Sequence, residues 1–188
     1  MNTLIIHPED QTTTFLNPIY AGIANQTHIQ GNRSKEEVLD LIQTHDRVLM
    51  MGHGTSLGLL SMGKFEVKSF GWPSYIIDEQ AVELLQTKND SLFIWCHADQ
   101  YVNEFGLKGF FTGMFVSEVG EAIAYGLPGV SQMEVDESNA CFAEVVSHYL
   151  HLPIPALWQQ VRIGYGQLAQ VGNPVAQYNL ERLYYTPN

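Results

Sequence analysis

The feature that most constrains the fold is a set of short, almost unbroken apolar segments. Four stand out: residues 3–7 (TLIIH), Arg47–Met51 (RVLMM), residues 91–95 (SLFIW) and residues 109–116 (GFFTGMFV). Strands without polar alternation are typical of parallel sheets that are covered on both faces. Helical patterns separate these segments, which predicts an α/β fold: a three-layer sandwich with a mostly parallel sheet and helices on both faces.

Helix signals occupy the intervals between the apolar segments. Ser34 and Glu37 fit a capping box for a helix over residues 34–44, and Asp78 fits the N-cap of a helix over residues 78–87. A short strand is expected at residues 27–30. The C-terminal section is predicted to be helical, with helices over residues 117–125 and 138–150, one that begins at Pro155, and a last one from Asn173 to about Tyr184.

Length and charge narrow the class of protein. A chain of 188 residues fits a single domain, 1–188. The formal net charge of −11 disfavours binding to nucleic acid and to anionic membrane surfaces. No apolar run reaches membrane-helix length and no signal-peptide pattern is present, so the sequence predicts a cytoplasmic protein. Two cysteines are too few for a disulfide framework and are expected to be reduced.

In parallel sheets, sites form beyond the carboxyl ends of the strands. Reactive side chains concentrate at those positions here: His7, Glu9 and Asp10; His53 and Gly54; Cys96, His97 and Asp99; Ser117 and Glu118. These residues are therefore the candidates for a functional site.

His53 and Cys96 form the most specific pair among them. Each follows a buried strand, and a strand, a crossover and a parallel strand bring such ends close together. A thiol needs a base or an imidazolium partner to become a thiolate at neutral pH. The N–H groups of Gly54 and Cys96 could form an oxyanion hole. A structural interpretation stays open beside this one, in which His53 lies in a glycine turn and Cys96 is a small buried apolar residue.

The segments VLMMGHG and LFIWCHAD, with an amphipathic helix between them, resemble the caspase-like clan of cysteine peptidases. This clan includes caspases, gingipains, clostripain, legumain, separase and CHAT-domain proteins, and the resemblance covers about residues 3–125. It implies a caspase-like sheet with His53 as general base or imidazolium partner, Cys96 as nucleophile and Gly54 N–H as oxyanion donor. Small residues usually flank the clan's cysteine, whereas Trp95 and His97 flank it here, which predicts a divergent or inactive member.

A cysteine-dependent hydrolase of peptide or small amide bonds is the function that this pair predicts. The mechanism requires no cofactor and no metal. Asp99 and Glu118 are candidates to receive a basic P1 side chain, so cleavage is expected after Arg or Lys, and His97 is a further substrate-binding candidate. Asp99 and Glu118 also suit helix N-termini, where acidic residues are common without any substrate role.

Three further functions are compatible with the sequence. The Cys96-His97 dipeptide also resembles the PfpI-type family of hydrolases, for which Glu9 would have to supply the carboxylate. Histidine and cysteine at one edge suit zinc, although no close-spaced ligand pair is present. The third function is that of a non-catalytic binding module on a caspase-like scaffold, which the aromatic residues of the C-terminal section favour: Trp158, Tyr165, Tyr178, Tyr184 and Tyr185.

Overall fold

The computed structural model of the protein describes residues 1–67 and 74–187. The strands in these residues are β1 (Thr3–Ile6), β2 (Gln26–Ile29), β3 (Arg47–Met51), β4 (Gly54–Thr55), β5 (Gly58–Leu60), β6 (Tyr75–Ile77), β7 (Leu92–Ile94), β8 (Gly109–Thr112) and β9 (Leu183–Thr186). The α-helices are α1 (Pro18–Ala21), α2 (Lys35–Thr44), α3 (Val82–Leu85), α4 (Ala98–Glu104), α5 (Val119–Ala124), α6 (Gln132–Tyr149), α7 (Ile154–Gln170) and α8 (Pro174–Leu180). Short 3-10 helices occupy Gln11–Leu16 and Glu79–Ala81.

The main sheet has six strands in the order β2-β1-β3-β7-β8-β9. Its first five strands are parallel, and β9 pairs antiparallel with β8 at the edge. Because β1, β3, β7 and β8 run the same way, the residues that follow them meet at one edge of the sheet. The mostly parallel sheet predicted from the apolar segments is therefore confirmed.

Helices cover both faces of this sheet, which confirms the three-layer sandwich. Along β3 and β7 the side chains alternate between two buried clusters. Met50 and Phe93 face a cluster that packs under α2, α3 and α4. Leu49 and Ile94 face a second cluster formed with α1, α6 and α7. Two apolar faces explain why the strand sequences show no polar alternation.

The predicted capping signals are present. The Ser34 hydroxyl accepts from Glu37 N–H at 3.2 Å, and Ser34 N–H donates to the Glu37 carboxylate at 2.7 Å, which closes the capping box of α2. Asp78 accepts from Gln80 N–H at 3.0 Å. The helix predicted over residues 78–87 is formed by a 3-10 turn followed by the four-residue α3.

The C-terminal section differs from its prediction in two places. Helix α6 begins at Gln132, six residues before the predicted start, with a capping box formed by Ser131 and Glu134. The last helix begins at Pro174 with Asn173 as its N-cap, as predicted, but its predicted end at about Tyr184 is wrong: α8 ends at Leu180, and Leu183–Thr186 forms strand β9. The edge of β8 supplies backbone partners for this segment, and Leu183 is buried there, so tertiary pairing overrides the helical pattern.

A small antiparallel sheet, β4-β5-β6, follows directly after β3 and was not predicted. Its strands are two or three residues long and the pairing of β5 with β6 shifts register, so the chain carries no clear alternating pattern. Strand β4 begins at the residue after His53. The small sheet therefore helps to position the chain at the edge where the candidate residues meet. Within the described residues, no helix has both the length and the apolar character needed to cross a membrane.

Candidate functional site

His53 and Cys96 come together at the carboxyl ends of the adjacent strands β3 and β7. Both line an open cavity of about 620 Å³, together with Gly54 and His97. They also share a second, much smaller void of about 20 Å³ on the face of the sheet that α1, α6 and α7 cover. The topology therefore places the predicted thiol, imidazole and glycine around one space that a ligand can enter.

The surroundings of Cys96 favour the neutral thiol. Its Sγ donates a hydrogen bond to the Phe115 carbonyl oxygen at 3.5 Å, and no hydrogen bond joins Cys96 to His53. Burial raises the pKa of the Cys96 thiol to about 12, and the negative charges of Glu121 and Glu118 add to this rise. At neutral pH the side chain is a thiol, which is a weak nucleophile compared with a thiolate.

The His53 ring is held by the loop that follows β1. Its Nε2 lies 2.6 Å from the Thr12 hydroxyl and 3.5 Å from a carboxylate oxygen of Asp10. The Thr12 hydroxyl is also 2.5 Å from the same Asp10 oxygen, to which it donates. Burial opposes ionisation of Asp10, but hydrogen bonds from Thr12 and the charge of His53 lower the pKa of this carboxyl below its ordinary value.

These contacts favour one of the two tautomers of the neutral imidazole. An ionised carboxylate only accepts, so the single hydroxyl hydrogen of Thr12 goes to Asp10. The Thr12 oxygen must then accept a hydrogen bond from His53 Nε2–H. This arrangement favours the Nε2–H tautomer of neutral His53, in which the lone pair that can act as a base is on Nδ1.

Gly54 and Trp95 fit together beneath the cavity. A Cβ at Gly54 would lie 2.1 Å from Cδ1 of Trp95 and 2.7 Å from the Gly58 carbonyl oxygen, so only glycine fits at this position. The Trp95 ring is buried and its Nε1–H donates to the Thr55 carbonyl oxygen at 3.0 Å. The bulky residue before the cysteine therefore packs into the core rather than into the cavity, and the second glycine of Gly-His-Gly accommodates it.

His97 makes the turn from β7 into α4. Its backbone is left-handed, with φ 66° and ψ 26°, a conformation that non-glycine residues seldom adopt. Its N–H donates to the Gly113 carbonyl oxygen at 3.2 Å, and its Nδ1 lies 3.3 Å from the Gln100 side-chain amide. The side chain is half-buried and lines the same cavity as Cys96.

Part of the cavity wall is acidic. Glu118 and Glu121 both line it, and Glu121 accepts from Ser117 N–H at 2.8 Å and from the Ser117 hydroxyl at 3.2 Å. Asp99, the second acidic subsite residue predicted from the sequence, lies in the first turn of α4 and is not among the cavity-lining residues. Its Oδ1 is buried without a hydrogen-bond partner in the described residues.

His7 lies at the same edge but is fully engaged inside the protein. It is 3% exposed, its Nδ1 lies 3.0 Å from the Tyr20 hydroxyl and its Nε2 lies 3.0 Å from the Thr13 hydroxyl. Burial lowers the pKa of His7 to about 4, and the nearby His28 contributes to this. In residues 1–67 and 74–187 no group of three His, Cys, Asp or Glu side chains is arranged to hold a metal ion.

The carboxylate that a PfpI-type site requires, and the aromatic residues of the C-terminal section that were predicted to form a binding surface, do not line the cavity. Glu9, the carboxylate that a PfpI-type site requires, is bonded to Lys64 at 3.3 Å and does not line the cavity. Tyr165 is fully buried, and Tyr185 packs on Trp158 at 4.8 Å. Tyr184 is exposed, with its ring 5.8 Å from that of Phe111. These aromatic residues join the C-terminal section to the sheet.

Sequence reasoning assigns no role to Thr12 or Glu121, and it places Asp10 only as a residue that follows β1. The spacing Asp10-x-Thr12 is a signal for a side chain that caps the next turn. Asp10 does cap the 3-10 helix Gln11–Leu16. What the spacing does not reveal is that this turn lies beside His53, because that contact joins residues far apart in the chain.

Comparison of the chain with protein-family models, curated proteins and solved structures gave no significant match. The chemistry of this site therefore has to be inferred from its own geometry.

Proposed function

We propose that this protein is a cysteine-dependent hydrolase of peptide or small amide bonds, with Cys96 as nucleophile and His53 as general base. One observation carries the proposal: His53, Gly54 and Cys96 line a single open cavity at the carboxyl ends of two adjacent parallel strands. The Asp10–Thr12–His53 contacts support it, because they leave Nδ1 of His53 free to accept a proton. This arrangement is also what the resemblance to the caspase-like clan implies.

The reaction begins from a neutral thiol and a neutral imidazole. His53 Nδ1 takes the thiol proton as Sγ bonds to the substrate carbonyl carbon, and the carbonyl π electrons move to its oxygen. The N–H groups of Gly54 and Cys96 stabilise that oxyanion. When the tetrahedral intermediate collapses, the C–N bond breaks and His53 protonates the leaving amine. Water then attacks the thioester, gives a proton to His53 and releases the acid, and the sulfur recovers its proton.

A basic side chain beside the scissile bond is the substrate feature that this cavity favours. Glu118 and Glu121 line it and carry negative charge toward a ligand, and removal of water strengthens such an attraction. Cleavage after Arg or Lys is therefore proposed, with Glu118, which the sequence also predicts, and Glu121 as the acidic groups. The role predicted for Asp99 stays a prediction.

A panel of fluorogenic amides with basic, acidic and apolar P1 residues tests this function. The wild-type protein is expected to cleave the basic substrates, and Cys96→Ala to lose at least about a hundredfold in rate. Cys141→Ala is the matched control, because Cys141 is the other free, partly buried cysteine and lies in α6. Equal activity of wild type and Cys96→Ala, or a preference for acidic P1 residues, would contradict the proposal.

The same site supports a second candidate, a binding module without catalysis. The raised pKa of Cys96, caused first by burial, favours it because it leaves the thiol un-ionised at neutral pH. In that case a basic peptide binds at the acidic wall without being cleaved. Calorimetric titration with a short Arg-containing peptide would then give the same affinity for wild type and Cys96→Ala, and a weaker one for Glu118→Gln.

A further inference from the structure

We propose that Asp10 and Thr12 are positioning residues, which act through a carboxylate–hydroxyl–imidazole relay to hold His53 in the Nε2–H tautomer with Nδ1 free. The catalytic consequence of this relay rests on the proposed hydrolase. The relay itself concerns the positions of the protons on Thr12 and His53, and these positions can be measured without any substrate.

The relay depends on the direction of two hydrogen bonds. Thr12 has one hydroxyl hydrogen, and at 2.5 Å from Asp10 that hydrogen is directed to the carboxylate. Only the lone pairs of Thr12 then remain for His53 Nε2 at 2.6 Å. A ring protonated on Nδ1 instead would set two lone pairs against each other at this contact.

Hydrogen bonds hold the loop that contains Asp10 and Thr12 to the end of β1. Asp10 caps the 3-10 helix Gln11–Leu16 through the Thr12 N–H, at 2.9 Å. The neighbouring Thr13 is buried, and its hydroxyl is bonded to His7 at the end of β1. Thr12 is exposed on the other side of the same turn. The turn is thus fixed to the sheet through Thr13, and it holds Thr12 against His53.

The tautomer matters because only the unprotonated nitrogen can serve as the base. With the relay intact, the Nδ1 lone pair is available in every neutral molecule. Without it, the two tautomers of a free imidazole interconvert and a fraction of molecules have the proton on Nδ1. The relay therefore affects the rate of the chemical step and not the binding of substrate.

Long-range ¹H–¹⁵N NMR of histidine-labelled protein, recorded across a series of pH values so that the spectrum of the neutral ring is identified, tests the relay directly. His53→Gln identifies the His53 resonances. In the wild type we expect the nitrogen shifts of an Nε2–H ring, and in Thr12→Val we expect them to move toward the average of the two tautomers. Thr12→Ser, which keeps the hydroxyl, should restore the wild-type shifts, and Asp10→Asn should weaken the preference.

Thr14→Val is the matched control, since Thr14 lies in the same turn, is exposed, and donates only within the turn, to Gln11. It should leave the His53 shifts unchanged. An Nδ1–H ring in the wild type would overturn the relay, and so would a pure Nε2–H ring in Thr12→Val.

Hydrolysis of the best substrate gives the second readout. Thr12→Val should lower kcat about tenfold with KM unchanged, as expected for loss of one orienting hydrogen bond, and Thr12→Ser should recover it. If the NMR shows the relay and no amide is cleaved by the wild type, the relay stands and the proposed hydrolase fails. If amides are cleaved through Cys96 and Thr12→Val alters neither the tautomer nor kcat, the hydrolase stands and the relay fails.

Discussion

Two histidines at the same edge of the sheet, His7 and His53, contact the same short turn and are used differently. Both rings meet a threonine of the 3-10 helix, Thr13 for His7 and Thr12 for His53. His7 is 3% exposed and both of its nitrogens are engaged, whereas His53 lines an open cavity. A histidine becomes a candidate base when one nitrogen is held and the other is left free. A histidine whose two ring nitrogens are both hydrogen-bonded inside the core has a structural role.

The largest expected difference comes from replacing each histidine in turn. His53→Gln should reduce amide hydrolysis by about a hundredfold or more, because the general base is lost, and should change the free energy of unfolding by less than about 1 kcal/mol. His7→Leu should lower the free energy of unfolding by about 1–3 kcal/mol, because two buried hydrogen bonds are lost, and should keep activity within about tenfold. Urea denaturation and the fluorogenic assay measure both. A stable, inactive His7→Leu would reverse the roles of the two histidines.

The pH dependence of the free energy of unfolding should also show that His7 is a buried histidine. Its pKa is lowered by burial from 6.5 to about 4, so the unfolded chain binds a proton more readily than the folded one between these values. Stability from His7 is present above pH 6.5 and is lost as the pH falls toward about 4, a change of about 3 kcal/mol. The pKa of Asp10 lies below its ordinary value. The contribution of Asp10 to the free energy of unfolding is therefore lost at a lower pH than that of His7.

Urea titrations across this pH range, followed by tryptophan fluorescence, measure that change. His7→Leu should give a clearly flatter profile than the wild type. The pKa of His28 is also lowered by burial, so His28→Gln is the control that shows how much of the remaining slope belongs to that residue. An unchanged slope in His7→Leu would show that His7 is not the titrating group.

The acidic side chains that line the cavity should affect the ionisation of the Cys96 thiol, which lines the same cavity as His53. Burial is the main cause of the high pKa of Cys96, and the charge of Glu121 is the next. Glu121→Gln keeps an oxygen that can accept from Ser117 and removes the charge, so the iodoacetamide reaction of Cys96 should rise about tenfold at mildly alkaline pH. Mass spectrometry of the Cys96 peptide gives the rate, and a rate equal to wild type would mean that this charge does not reach the thiol.

The smallest effect is expected at Cys141. Its pKa is raised by burial and by Glu144, and it lies in α6 rather than at the strand edge. Cys141→Ala should leave hydrolysis and the alkylation rate of Cys96 unchanged, and should alter the free energy of unfolding by about 1 kcal/mol or less. A loss of activity in this variant, measured beside Cys96→Ala, would mean that Cys141 and not Cys96 is the reactive thiol.

The sequence predicted more of the sheet than of the C-terminal section. The apolar segments located β1, β3, β7 and β8, since a strand buried on both faces needs a nearly unbroken apolar run. The tail is predicted to be helical to Tyr184, and the segment Leu183–Thr186 is instead a strand because β8 offers an open edge. A local pattern carries no information about an edge that is formed by a segment far away in the chain.

For the site, the amino-acid sequence by itself determined which residues follow the buried strands, and so which side chains meet at one edge: His7, His53, Gly54, Cys96 and His97. Each of these residues follows an apolar strand that can be recognised from the pattern of its own segment. Only the tertiary structure decided that Trp95 packs against Gly54, that Glu121 lines the same cavity as Cys96, and that Asp10 and Thr12 contact His53. These contacts depend on how loops approach one another across the edge, and burial and proton position are properties of that assembled environment.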